Sequence, residues 1–409
     1  MLCHQLYTTI NNSALVQGSF LMLNSIGTPF RLFVFGVLAV VATTRVQAEL
    51  PAEPIPKIET VSSEYPDSLI FVHDANFNAL IAGRVVLVDV ASDSRNYKGA
   101  LDAAQFASFT ESTINKELYV AETFYSRGTR GERTDVLTVY DRDHLKVIAE
   151  LELPNQKRGM MVSNRYTLQL VDNDQILLVF NFTPAASVSV IDIAKREILS
   201  EVQIPGCSLI YPTGVRGFSS LCSNGSLITV QFDNDGKVLS QSRLPAFFNV
   251  DQDPLFAKPV YIDGTAYFPS FHGQIQPINL SSNEPSIEPA WSLLSTSDTE
   301  QNWRPGGWQI ASVSDAGQIY LLMHPDGEDG SHKGGGSEVW VFDPKTKKRV
   351  ARFELKEWGV SIEVTRGADP YLVVTNGDMQ LDIYGASDGS WLKMIGGTAA
   401  MPFNLHALK

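Results

Sequence analysis

From about residue 85 onward the chain is written in short runs of β-branched and aromatic residues that alternate with polar ones and stop at an acid, an amide or a glycine. Seven runs share this shape: VVLVD ending at Asp89, LTVYD at Asp141, VSVID at Asp192, ITVQFD at Asp233, IQPIN at Asn279, VWVFD at Asp343 and LDIYG at Gly385. Alternation with period two, closed by a turn residue, marks a strand with one buried face; a helix would repeat its apolar positions every three to four residues. In VWVFDPKTKKRVARFEL the unit is clearest, with an apolar run to Asp343, a turn at Pro344 and a second alternating run over 349–355. Successive signatures lie 41 to 64 residues apart, the scale of one four-stranded sheet in a radial array. The pattern predicts an all-β fold, a seven-bladed β-propeller with four-stranded antiparallel blades, formed as a single domain over 67–409. Radial repetition leaves only short, protected sheet edges. Residues 68–72, just ahead of the first signature, are expected to close the ring against the last blade.

The segments that break the pattern are as informative as those that keep it. The first step carries an insertion over 92–109 that includes Tyr97, and the 64-residue step carries both WRPGGWQ at 303–309 and HPDGEDGSHKGGG at 324–336. Long loops on a rigid ring are where binding residues gather. Residues 49–66, rich in Pro and Glu, read as a flexible N-terminal arm. Ahead of them Arg31 precedes the apolar run 32–42, and Val46, Gln47 and Ala48 offer a small-residue cleavage site. This is the layout of a secretory signal peptide over 1–48, and the apolar run is shorter than the ~20 residues that a membrane span needs. Export to the periplasm is the expectation.

Removing 1–48 takes away Arg31 and Arg45 and no acid, which leaves 30 basic against 45 acidic residues, a net charge of −15. A strongly negative body is repelled by nucleic acid and by anionic membranes, so neither is an expected partner, whereas protonated amines are compatible ligands. Two of the three cysteines, Cys207 and Cys222, remain after cleavage. They flank a Pro/Gly turn that brings them together as a disulfide; the competing reading, a reactive thiol pair, lacks close C-x-x-C spacing.

A search for catalytic constellations finds no nucleophile elbow, zinc-type HExxH, Gly-rich phosphate loop or EF-hand spacing. His324, Asp326, Glu328, Asp329 and His332 can be drawn as a metal site, but the Gly and Pro among them favour a solvated turn, and no metal is expected. Arg127, Arg130 and Arg133 can be drawn as an anion site, while interleaved Glu132 and Asp135 favour a local salt-bridge network. Trp303 and Trp308 are either a recognition platform or packing between blades. An exported propeller without catalytic machinery is a scaffold, a binding platform, or a subunit whose chemistry lives elsewhere.

The order of landmarks decides among these. SRGTRGERTD at 126–135, the Cys207/Cys222 hairpin, DNDGKVLSQSR, WRPGGWQ and MHPDGEDGSHK resemble, over nearly the whole exported chain, the heavy subunits of the methylamine and aromatic amine dehydrogenases. Residues 235–243, 289–294 and 323–333 look closer to the aromatic amine branch. The resemblance implies an α2β2 assembly in which a small light subunit carries tryptophan tryptophylquinone, and this chain carries no cofactor and no catalytic residue. It implies oxidation of a primary amine to an aldehyde and ammonia, with electrons passed to a type I copper protein, amicyanin or azurin. Here Tyr97 is the candidate for the substrate channel, and Phe124, Tyr125, Arg127, Arg130, Trp303, Arg304 and Trp308 are candidates for the interface with the light subunit. The rival readings are a stand-alone pyrroloquinoline quinone dehydrogenase and a non-catalytic periplasmic binding scaffold.

Overall fold

Each of the seven signature runs folds as a strand, and each stands third in an antiparallel meander. The first five are Arg84–Asp89, Arg133–Asp141, Ser187–Asp192, Leu227–Phe232 and Gln274–Asn279. Their apolar faces are buried on both sides of the sheet, which explains why third strands carry the strongest apolar signal. The structure, a computed structural model, describes residues 60–62 and 64–408; the export segment and most of the arm lie outside the described residues. Residues Lys57–Lys409 form one compact unit.

The protein is a β-propeller of four-stranded antiparallel blades, but among the described residues its strands divide into six sheets where seven signatures had predicted seven. Four sheets have four strands, one has five and one has eight. The five-stranded sheet arises because its outer position is split between Ser286–Ile287 and Trp291–Ser292. The eight-stranded sheet contains two signatures, Gly336–Asp343 and Leu381–Gly385, because the 17-residue strand Lys348–Val364 serves both. Its residues 348–354 pair with Gly336–Asp343, and its residues 359–364 pair with Tyr371–Asn376.

Ring closure also differs from expectation. Leu69–Asp74 does take part, but its partner is the last strand of the chain, Pro402–Ala407, which becomes the innermost strand of the first sheet. The C-terminus crosses to the first blade, so the N-terminal strand does not join the last one. Asp74 fastens the junction: its buried carboxylate accepts from the backbone N–H groups of Asn76, Ala400 and Met401 at 2.8–3.0 Å.

Apolar side chains pack where neighbouring sheets face each other. Phe71 and Leu87 of the first sheet meet Phe109 and Val120 of the second, all buried, and each such side chain contributes roughly 1.5–3 kcal/mol of burial free energy. Across the third and fourth sheets Val190 and Phe180 meet Phe218 and Val230. Cys207 stands directly opposite Cys222 on adjacent strands, and the two are joined as a disulfide. Closing that 15-residue separation is worth roughly 3 kcal/mol in the chain-entropy model.

Candidate functional site

In every antiparallel meander the connector that enters the innermost strand and the turn between the second and third strands lie at the same end of the sheet, because successive strands reverse. In the first five sheets and both halves of the eight-stranded one, that end forms one face of the ring, here the upper face. It carries the turns 75–83, 126–132, 182–186 and 325–335 and the connectors 103–107, 154–167, 245–259 and 293–310. These segments are tied across blades: Gln105 donates to the Gly128 carbonyl, Phe182 N–H to Lys157, and Gly307 N–H to His332.

Down the axis runs a cavity of about 290 Å³. Phe109, Gln169, Pro212, Tyr261, Val313, Glu363 and His406 line it, one from each of seven innermost strand segments. Arg165 crosses this space and pairs with Glu363 at 2.9 Å. Above it Arg165, Lys258, Trp308 and Asn404 form a narrow neck. The Trp308 indole N–H donates to the Ser163 carbonyl and to Asn404 Oδ1 at 3.3 and 3.1 Å, and the Lys258 ammonium lies 4.1 Å from the indole centroid. Over the neck opens a cavity of about 610 Å³ walled by Phe256, Phe271, Trp308, His332 and Phe403. The aromatic surface continues from Phe403 to the part-exposed Phe77, 5.5 Å away, and from there to Phe106 at 6.0 Å.

The residues singled out in the sequence separate into three groups. Trp308 and Arg304 belong to the upper face, Trp308 in the cavity wall and Arg304 stacked 4.6 Å over Phe271. Phe124 and Tyr125 end their strand at this face beside the turn that carries Arg127 and Arg130; Phe124 and both arginines are exposed. Trp303, by contrast, is buried between blades against Trp340 at 5.0 Å and has no access to the cavity. Tyr97 is exposed but stands opposite Val88, at the end of the first sheet away from the 75–83 turn, so it does not meet the others. Arg133 forms a bidentate pair with Asp135 at 2.9 Å, the local network that the interleaved acids favoured. His324 and His332 do not converge with the acids: among the described residues no three of His, Cys, Asp and Glu come together as a metal site. The His324 Nδ1 faces the Pro325 carbonyl at 3.0 Å, and burial holds its pKa below the ordinary value.

Two buried charges, neither marked by a motif, shape this face. Arg158 donates to the carbonyls of Phe106 and Gln105 at 2.9 and 3.0 Å and to Thr123 Oγ1 at 2.7 Å, while its own N–H reaches Asp135 at 3.1 Å. Glu122 accepts the Ala104 N–H at 2.7 Å and the Thr138 hydroxyl. Burial raises the Glu122 carboxyl from 4.5 to about 7, against the lowering effect of those hydrogen bonds and of Arg158. The folded protein thus keeps a proton that the unfolded chain releases, and stability falls as pH rises from about 4.5 to about 7. Glu122→Gln, whose amide can accept from Ala104 and donate to Thr138, is expected to be more stable than the parent at pH 8 by up to about 3 kcal/mol, with the gain vanishing at pH 4.5. Urea unfolding at the two pH values measures it, and an equal effect at both would sink the assignment.

Sequence reasoning missed Lys258, Phe256, Phe77 and Phe403, because no motif marks them and they come from three separate segments, Phe256 and Lys258 from the 245–259 connector, Phe77 from the 75–83 turn and Phe403 from the last strand. Only the closing of the ring brings them to one face. What the geometry defines is a propeller whose axial cavity leads through a Trp/Lys neck to an aromatic-lined upper face, without a catalytic dyad or metal cluster among the described residues. A dihydro-heme d1 dehydrogenase, NirN, shares the fold with TM-score 0.50 at 16% identity over 84% of this chain and 76% of its own. The family model for the methylamine dehydrogenase heavy chain matches residues 68–402, and the chain belongs to that family. It is 29% identical to the methylamine dehydrogenase heavy chain of Methylorubrum extorquens over 81% of both chains. With the corresponding chain of Methylobacillus flagellatus it shares 28% over 71% of this chain and 72% of that one.

Proposed function

We propose that this chain is the heavy subunit of a periplasmic amine dehydrogenase, paired in an α2β2 complex with a light subunit that carries tryptophan tryptophylquinone. Family membership over 68–402 is the observation that carries this reading. The propeller would then count seven blades, the eight-stranded sheet being two fused through Lys348–Val364. In support, seven apolar clusters lie between successive sheets or between the halves of that one, and seven inner segments line the axis. The quinone supplies the electrophile and the electron acceptor for oxidation of a primary amine to an aldehyde and ammonia. This chain contributes a rigid docking face and a wall that keeps water from the reacting centre.

The upper face suits that task. Phe124, Met161 and Phe182 expose 42%, 39% and 63% of their surface there, and large apolar side chains left exposed on one face of a rigid ring suit a protein interface. Arg127 and Arg130 stand beside it as a polar rim. The aromatic row Phe77, Phe106 and Phe403 provides one side of a substrate path. Residues 235–243, 289–294 and 323–333 favour an aromatic amine over methylamine, and a type I copper protein, amicyanin or azurin, would take the electrons.

Native purification followed by a visible spectrum tests this reading. A tightly held small subunit with a quinone band that bleaches on adding phenylethylamine, and bleaches more slowly with methylamine, is the expected result. Changing Phe124 and Phe182 together to Ser is expected to weaken the complex by about tenfold or more, as loss of two apolar anchors does. A colourless chain that purifies alone and ignores amines would overturn the proposal.

A further inference from the structure

Lys258 is a cation without a counter-ion among the described residues. It lies on the 245–259 connector, just before the inner strand Val260–Ile262, and lines both the neck and the aromatic cavity. The residue is of intermediate exposure, but its ammonium lies deep, donating to the Trp308 carbonyl beneath the indole ring. The charged and titratable groups facing it are His332 and Lys333 from the 325–335 turn and Arg165 and Tyr166 from the 154–167 connector, the Tyr166 phenol being neutral and donating to the Pro259 carbonyl. None of these carries a negative charge at neutral pH. Among the described residues no carboxylate lines either space, and Glu363, farther down the axis, is committed to Arg165, Gln309 and the Ala407 N–H. The His332 Nδ1 is buried with no hydrogen-bond partner among the described residues.

An ammonium withdrawn from water costs several kcal/mol unless an anion or strong acceptors replace its hydration. One backbone carbonyl and one indole face replace only part of it. The walls around Lys258 are aromatic, with the His332 ring edge-on to Phe256 and Phe271 at 5.9 and 5.4 Å. The space of about 610 Å³ accommodates a ring with a short side arm. We propose that this cavity is a binding site for a small aromatic carboxylate, its ring among Phe256, Phe271 and Trp308 and its carboxylate on the Lys258 ammonium. A protonated amine is not its ligand, since Lys258 and Lys333 would repel it.

Burial pulls Lys258 from 10.5 down to about 8, which supplies a signature for the test. Below about pH 8 the ammonium is already formed and affinity is level; above it a proton must be taken up with the ligand, and affinity falls by up to about tenfold per pH unit. The purified chain, alone and in complex with its light subunit, is titrated with phenylacetate by calorimetry and by indole fluorescence, against phenylacetamide and phenylethylamine. Phenylacetate at pH 7 is expected to bind one to one to both, about tenfold or more tighter than the amide, with no saturable binding of the amine to the isolated chain. Lys258→Met is expected to lose about tenfold or more in affinity. Should that variant not fold, the pH profile of the parent chain carries the test unaided.

Equal affinity for acid and amide, unchanged binding in a folded Lys258→Met variant, or an affinity level from pH 7 to 10 would each overturn the proposal. So would phenylacetate binding that the light subunit abolishes, because the cavity would then be filled by the partner's own side chains. Binding to the isolated chain needs no quinone, so its failure is separate from failure of the amine dehydrogenase reading.

Discussion

Arg158→Met is expected to lower the unfolding free energy by about 3–5 kcal/mol. The guanidinium is buried and gives one connection to each of two successive carbonyls, Gln105 and Phe106, and two to the Thr123 hydroxyl. A thioether fills similar volume but donates nothing, so three buried acceptors lose their donor at about 1–3 kcal/mol each, partly offset because no charge is then held out of water. Asp135 keeps its own pair with Arg133, so no uncompensated carboxylate is created. Arg158→Lys should recover less than half of the loss, since a single ammonium cannot span both carbonyls and the hydroxyl in a plane. Structurally, the loss falls on the 103–107 connector, whose Phe106 ring lies tilted against Phe77 at 6.0 Å. Amides of 103–107 should therefore exchange faster in the variant, while those of the remote strand Leu372–Val374 region, within Tyr371–Asn376, do not. A variant that unfolds within about 1 kcal/mol of the parent would show that the connector is held by other contacts.

How far this fold could be read from the chain depends on which strand is asked about. Third strands were legible because both faces are buried and each ends in a turn, as Val85–Val88 and Val339–Phe342 show. Innermost strands were not: Val260–Ile262 and Ala311–Val313 are three residues long, and others carry polar side chains toward the axis, Thr110, Gln169 and Glu363 among them. Counting signatures gave seven units, yet it could not anticipate that a strand as long as Lys348–Val364 would join two of them in one sheet.

The site was legible in part for a similar reason. Which face a loop occupies follows from strand parity, and an insertion after a third strand always emerges at the lower end. Tyr97, behind the third strand Arg84–Asp89, is such a case, whereas Phe77, between the second and third strands, emerges at the upper face. WRPGGWQ was found as one motif but the fold distributes it: Trp303 goes to the core between blades, Arg304 and Trp308 to the upper face, and Gln309 to the axis. Glycine at 307 is needed for this, at φ 127° with the Val360 carbonyl 2.5 Å from where a Cβ would sit. Lys258 had no motif to announce it, and its meaning comes only from what does not surround it.

Gln309→Leu is expected to open the ring where it closes, at a cost of about 3–5 kcal/mol. The buried carboxamide donates to the carbonyls of Ile362 and Leu405 at 2.8 and 3.0 Å and to the Glu363 carboxylate, and its oxygen accepts the Leu405 N–H at 3.0 Å. It thereby joins the inner part of Lys348–Val364 to Pro402–Ala407, two strands that belong to different sheets and have no ladder between them. Leucine leaves the Leu405 N–H and the Ile362 carbonyl without these partners, each at about 1–3 kcal/mol, while the Leu405 carbonyl keeps the Arg165 guanidinium. Gln309→Glu keeps the shape and the acceptor but sets a second carboxylate against Glu363, so its defect should ease on acidification, when one of the pair takes a proton. Because the closing strand also carries Phe403 and Asn404, exchange of the Leu405 amide and quenching of the Trp308 indole should change together in the leucine variant. Loss of global stability with the Leu405 amide as protected as in the parent would place the closure elsewhere, on the Asp74 clasp at the other end of the same strand.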